Sequence, residues 1–218
     1  MNVQDIVLYI AINAIPLVFA ITLHEAAHGY VAKLFGDRTA WMLGRVTANP
    51  AKHIDPVGTV IVPLVMLVLS SGGFMFGWAK PVPVNFGNLR RPKQDMLWVA
   101  AAGPGANVLM LVAWLVVAKA LLAAGGSGMA WEFWIRVADA GIIWNISLAI
   151  LNLFPLLPLD GGRILASLLP GRLAYAYSRL EPYGMFILLF LVATPILGWI
   201  LGPIMASARH AAYSLLRF

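Results

Sequence analysis

The stretch AITLHEAAHGYVAKLFGD, residues 20–37, joins two kinds of chemistry. Its approach, AINAIPLVFAITL at 11–23, holds no charged residue and is apolar enough for the interior of a bilayer. His24, Glu25 and His28 then fall within five positions. On a helix, residues i and i+4 share one face about a turn apart, so the two imidazoles can bind a single ion. Glu25 lies about 100° further round, where it can touch a water beside such an ion. A charged group at mid-bilayer costs on the order of 2.5–3.5 kcal/mol on insertion scales. Three ionisable side chains on one turn of an apolar helix therefore call for a function. The structural alternative is a hydrogen-bonded packing cluster between helices.

Composition supports the membrane reading. Of 218 residues, 61% are hydrophobic and 11% charged, with mean hydropathy +0.84, whereas a soluble domain carries about 25% charged residues. The class expected is an all-α polytopic membrane protein, one domain over 1–218 with a C-terminal extra helix at 183–207. Cysteine is absent, which excludes disulfides and thiolate metal sites. The net charge of +6 sits in loops between apolar runs, so the partner it implies is anionic lipid at the bilayer surface and not nucleic acid. The start, MNVQD, lacks the positive region of a signal peptide, so the first segment is expected to be retained.

Five apolar segments organise the chain. Four, at about 5–35, 97–124, 137–159 and 183–207, reach the roughly 20 residues a spanning helix needs. The fifth, 57–73, is short and holds Pro63. Loops 36–56, 80–95 and 160–182 are basic, and 125–135 has no Lys or Arg. If 57–86 dips in and returns, the basic loops share one side and the positive-inside rule is obeyed. Four full spans plus a re-entrant helix or short β-hairpin element are therefore expected, with the basic loops cytoplasmic. GWAKPVPVN at 77–85 should be extended, because Pro81 and Pro83 forbid helix. The prolines blank one strand edge and leave the N–H groups of Val82 and Val84 on the other, either to pair with an extended peptide or as part of an ordinary turn at the membrane surface.

HEAAH at 24–28 has the H-E-x-x-H arrangement of zinc hydrolases, in which Glu is the general base. A catalytic zinc takes three protein ligands and keeps an open position. The third ligand must come from a short list, since the chain has four histidines and nine acidic residues. Among His210, Glu181 and Asp160, the favoured one is Asp160, in NLFPLLPLDGG, where two prolines and two glycines shape the backbone. Its structural alternative is a helix cap. His53, beside Lys52 and Asp55, is expected to be a solvated loop histidine, with an extra ligand or substrate contact as the second reading. Asn107, in AGPGAN, is read as an interhelical hydrogen bonder, with substrate positioning the lesser reading.

The two motifs together resemble the site-2 protease family of intramembrane zinc metalloproteases. HEAAH matches its first motif, and NLFPLLPLDG from Asn152 to Gly161 matches its N-x-x-P-x-x-P-x-D-G pattern. HIDPVGT at 53–59, FGWAKPVPVN at 76–85 and AGPGAN at 102–107 are similar to stretches of bacterial members. The resemblance covers roughly 20–165 and departs at Leu157, where many relatives carry proline. It implies one Zn2+ held by His24, His28 and Asp160, with Glu25 activating water and Asn152 near the substrate or oxyanion. It also implies a transmembrane protein substrate, and an active site toward the cytoplasmic side of the cell membrane. No PDZ-like insertion is expected between the motifs. Rival readings are a membrane ion transporter, which would usually show repeat symmetry, and an inactive protease-like scaffold.

Overall fold

A computed structural model describes residues 3–62, 65 and 79–216. Helix α1 (Val3–Leu34) leads, followed by the short α2 (Thr39–Met42). After the loops come α3 (Pro92–Ala124), α4 (Met129–Asn152) and α5 (Asp160–Leu168). The chain ends with α6 (Gly171–Ser178), α7 (Glu181–Ala193) and α8 (Ile196–Ser214). Among the described residues every regular element is helical.

Among the described residues, three helices are long and apolar enough to cross a membrane: Val7–Leu34, Pro92–Ala124 and Met129–Asn152. The pair α6 and α7, bent by 61° at its break, makes up to four if counted as one span. These helices are apolar on their outer faces too. Ile10, Leu109 and Val116 are 57%, 74% and 63% exposed, as expected of helices solvated by lipid.

The expected last span, 183–207, is not one helix. It divides into α7 and α8, with Thr194 extended at φ −110°, ψ 160° before Pro195. A residue preceding proline is pushed out of helical geometry by the ring Cδ, which ends α7 there. The expected third span also shifts. The helix runs from Met129 to Asn152 and stops ahead of Pro155 and Pro158, whose missing N–H groups cannot continue its ladder. Most of the 57–73 segment, and the greater part of any hairpin around 77, lie outside the described residues. What is described of it begins with a π-helical turn at Pro56–Ile61. Residues 79–85 are neither helical nor paired into a sheet with another described strand.

Helices α1, α3 and α4 pack against one another, and α5 and α8 lean on α3 and α4 respectively. Leu115 and Ala118 of α3 meet Ala138, Ile142 and Ile146 of α4 and Ala212 of α8. Ile12 of α1 joins Val137 and Ala140. A smaller cluster of Ala32, Leu89 and Val99 ties the end of α1 to the start of α3. This packing faces the last turns of α1, the middle of α3 and the start of α5 toward one another.

Candidate metal centre

Asp37 ends α1 in a tight turn. Its carboxylate accepts from Thr39 N–H and Thr39 Oγ1, from Asn85 N–H at 2.7 Å and from Asn88 Nδ2. Burial alone would raise this carboxyl, but those donors outweigh it and hold the group below the usual carboxylate range. Asp37 thereby ties residues 85–88 to the base of α1.

The segment preceding it is fastened at three points. Arg45 Nη2 donates to Lys80 O at 2.8 Å and Pro81 O at 3.3 Å. Lys80 N–H donates to the His53 carbonyl at 2.9 Å. Val82 N–H donates to Glu25 Oε2 at 2.8 Å. The N–H of Val82, expected to be open for a peptide, turns into the cleft but is taken by the Glu25 carboxylate, while the carbonyls of 80 and 81 turn away to Arg45.

Asp160 opens α5. The turn that delivers it is made by Pro155 and Pro158, and Gly161 and Gly162 let α5 sit against that turn. A Cβ on Gly161 would lie 2.2 Å from Leu153 O, and one on Gly162 2.5 Å from Leu157 N. No larger residue fits either place without moving backbone.

The structure brings His24, His28 and Asp160 together, with one ligand atom from each inside a 4.8 Å span. Asp160 Oδ2 is 3.3 Å from His24 Nε2 and 3.4 Å from His28 Nε2, and the two Nε2 atoms are 3.1 Å apart. Both outer ring nitrogens face oxygen acceptors. His24 Nδ1 is 2.6 Å from Asn107 Oδ1, and His28 Nδ1 is 2.7 Å from Val99 O. An acceptor opposite Nδ1 requires the proton there, so both Nε2 atoms present lone pairs to the centre. Asp160 Oδ2 is buried and receives no hydrogen bond from the described residues. Two lone pairs and a carboxylate oxygen converging in a buried space repel one another unless a cation lies among them. Imidazole and carboxylate donors suit Zn2+, so the residues fit that ion.

Gly103 makes the convergence possible. A Cβ there would stand 2.4 Å from His28 Nε2 and 2.6 Å from His24 Nε2. The backbone of α3 therefore passes directly against the imidazole pair, and this is what the glycine of AGPGAN provides.

A cleft of about 440 Å³ opens beside the triad. His24, Glu25, His28, Val82, Val84, Asn152 and Asp160 line it, all of them read as site residues from the sequence. Asn152 Nδ2 donates to Leu148 O at 3.0 Å. Two other sequence candidates sit elsewhere. His53 is 2% exposed and not solvated. Its ring Nε2–H donates to Thr47 O at 3.1 Å, and it is not among the cleft-lining residues. Asn107 is wholly buried behind His24, its Nδ2 donating to Asn145 Oδ1 at 3.0 Å and toward Ala20 O at 3.4 Å. Its amide is engaged between helices and turned away from the cleft.

The structure adds residues that the sequence reading passed over. Arg163 lines the cleft, lies 4.9 Å over the Phe86 ring and pairs with Glu181 at 3.2 Å. Arg45, Gly103 and Asn145 also bear on the site. Of these, Asn145 carried a signal, being a lone amide within the apolar run GIIWNISLAIL at 141–151.

Comparison with known proteins bears on this arrangement. Residues 120–194 match the sequence model described as peptidase family M50. That span includes Asp160 and not the histidine pair. The Bacillus subtilis (strain 168) protein named "Putative zinc metalloprotease YwhC" is 36% identical over 226 residues, covering 97% of this chain and 96% of the relative. Rip2 of Mycolicibacterium smegmatis, which carries the same designation, is 28% identical over 82% of this chain and 65% of its own length. Rip2 of Mycobacterium tuberculosis (strain H37Rv) is 26% identical over 84% of this chain. No solved structure is significantly similar to the chain.

Proposed function

This chain belongs to peptidase family M50, the site-2 proteases, and from that premise we propose how its own residues hydrolyse peptide bonds within the bilayer. It is a zinc-dependent protease and a multi-pass membrane protein. The observation that carries the reading is the meeting of His24, His28 and Asp160 from two distant motifs, lone pairs inward, beside a cleft that also holds Glu25. His24 and His28 through Nε2, and Asp160 through its carboxylate, would hold one Zn2+. When bound, zinc supplies Lewis-acid polarisation of the scissile carbonyl and of the attacking water.

Glu25 takes the proton from that water and returns it to the leaving amine. One of its oxygens accepts the Val82 N–H, which aims the carboxylate and leaves the other oxygen for proton transfer. Val82 and Val84 hold the substrate as an extended strand, Val84 N–H donating to it while the Val82 N–H stays engaged by Glu25. Asn152 places the substrate carbonyl or the developing oxyanion with the N–H it does not spend on Leu148. The substrate is a transmembrane segment whose helix opens locally, since helical carbonyls are otherwise engaged in their own ladder.

The topology proposed has 36–56, 80–95 and 160–182 cytoplasmic, the active site toward that face, and 57–73 re-entrant. The whole of 1–218 forms one domain. A transporter reading is not favoured, because the charged groups converge on one cluster with a hydrolase's ligand set.

The test is cleavage of a single-span substrate by the purified protein in liposomes. Cleavage should stop on chelation and return with zinc; cleavage that persists in chelator overturns the reading. Sidedness is tested by single cysteines at Arg90 and Ser127, clean reporters in a chain that has no cysteine. They should label from opposite sides of the membrane, and labelling from the same side defeats the topology.

A further inference from the structure

We propose that Asn145 is a positioning residue for the metal centre: it sets which way the Asn107 amide faces and, through it, which nitrogen of His24 is left to bind the ion. The inference rests on the zinc-site reading above and extends it to a residue whose hydrogen bonds go to Asn107 and Gly141 and not to the triad itself.

Asn145 is wholly buried in α4. Its Nδ2 donates to Gly141 O at 2.8 Å. A backbone carbonyl can only accept, so the NH2 group must face Gly141 and Oδ1 must face Asn107. Asn107 Nδ2, at 3.0 Å, is then obliged to be the donor, which turns Asn107 Oδ1 to His24 Nδ1 at 2.6 Å. That oxygen draws the imidazole proton to Nδ1 and leaves Nε2 unprotonated toward Asp160. Orientation therefore passes in one direction, from a main-chain carbonyl of α4, through two amides, to a ligand on α1.

The arrangement needs this anchor because an amide has almost the same shape when flipped. The other contact to Asn107 Nδ2, Ala20 O, is 3.4 Å away and weak. Without Asn145, Asn107 can offer its NH2 to His24 Nδ1. The ring proton would then sit on Nε2, among His28 Nε2 and Asp160 Oδ2, where the ion belongs. Partners of this outer kind typically govern metal affinity by 10–100-fold.

The experiment titrates Zn2+ and, as a spectroscopic probe, Co2+ into the metal-stripped full-length protein in detergent. Wild type compared with His24→Ala reports on the zinc-site reading itself; equal binding by the two removes that reading and this inference with it. Asn145→Ala should weaken binding by about 10–100-fold and alter the Co2+ absorption bands. Asn145→Asp should stay within about threefold of wild type. Its carboxyl still accepts from Asn107, and when protonated it still donates to Gly141 O. In an Asn107→Ala background, adding Asn145→Ala should change affinity by less than about twofold, because the intermediary is gone. Wild-type affinity in Asn145→Ala, or effects of the two alanine substitutions that multiply, would show Asn145 to be an interhelical packing residue only. Should Asn145→Ala fail to fold, Asn145→Asp decides: near-native affinity supports the relay and a tenfold loss overturns it.

Discussion

The backbone N–H of Val82 donates to Oε2 of Glu25 at 2.8 Å, across 57 residues of sequence. The carboxylate assigned as general base is thus held by the same extended segment assigned to receive the substrate. Replacing Glu25 by Gln keeps the shape but removes the proton acceptor. Cleavage should fall by roughly 10²–10⁴-fold while zinc content, measured by metal analysis, stays at the wild-type level. A Glu25→Gln protein that still cleaves at the wild-type rate would refute the general-base role.

Arg45 fastens that segment through the carbonyls of Lys80 and Pro81. Hydrogen bonds to charged groups contribute about 1.5–3 kcal/mol each, so Arg45→Ala should let residues 80–82 drift from Glu25. The expected outcome is a drop of about tenfold or more in kcat/KM, with zinc binding unchanged because no ligand is touched. Lost zinc would mean that Arg45 supports the whole site and not this segment.

Gly103 and Asp160 should both fail at the metal, for different reasons. Gly103→Ala places a methyl group 2.4 Å from His28 Nε2, and the imidazoles must move. Asp160→Ala removes the one carboxylate of the cluster. Each should lower zinc affinity by more than the roughly 10–100-fold that an outer partner governs. Competition against a chelating dye measures it, and unchanged occupancy in Asp160→Ala would place the third ligand elsewhere.

Asp37 predicts an acid-sensitive step. Its folded-state pKa lies below the ordinary value, so the stability it contributes is complete above the unfolded value of about 3.9. That stability is lost as pH falls through the lower folded value. Asp37→Asn should reduce the unfolding midpoint in detergent at pH 7. The gap between variant and wild type should then narrow as pH falls below about 4. A gap that stays constant with pH would show that the charge on Asp37 is not what matters.

Some of this was plain in the chain. Apolar length marked α1, α3 and α4 as membrane-grade helices, and i, i+4 spacing put His24 and His28 on one face, because both are local properties of a helix. The prolines at 81 and 83 marked 79–85 as non-helical for the same reason. Pro195 breaks the last apolar segment by the same local rule, although apolar length alone predicts a single span there.

What the tertiary structure alone decided is which distant groups meet. His53 lies close in sequence to basic residues, which predicts a solvated ring, yet the fold buries it with its Nε2 on Thr47 O. Asn107, Asn145, Gly103 and Arg45 act on residues 35 to 83 positions away, through contacts that exist only once α1, α3 and α4 have packed and the loops have settled on them. Helical periodicity fixes a side chain's face within its own helix; the partner across that face is chosen by interhelical packing, which no local pattern encodes.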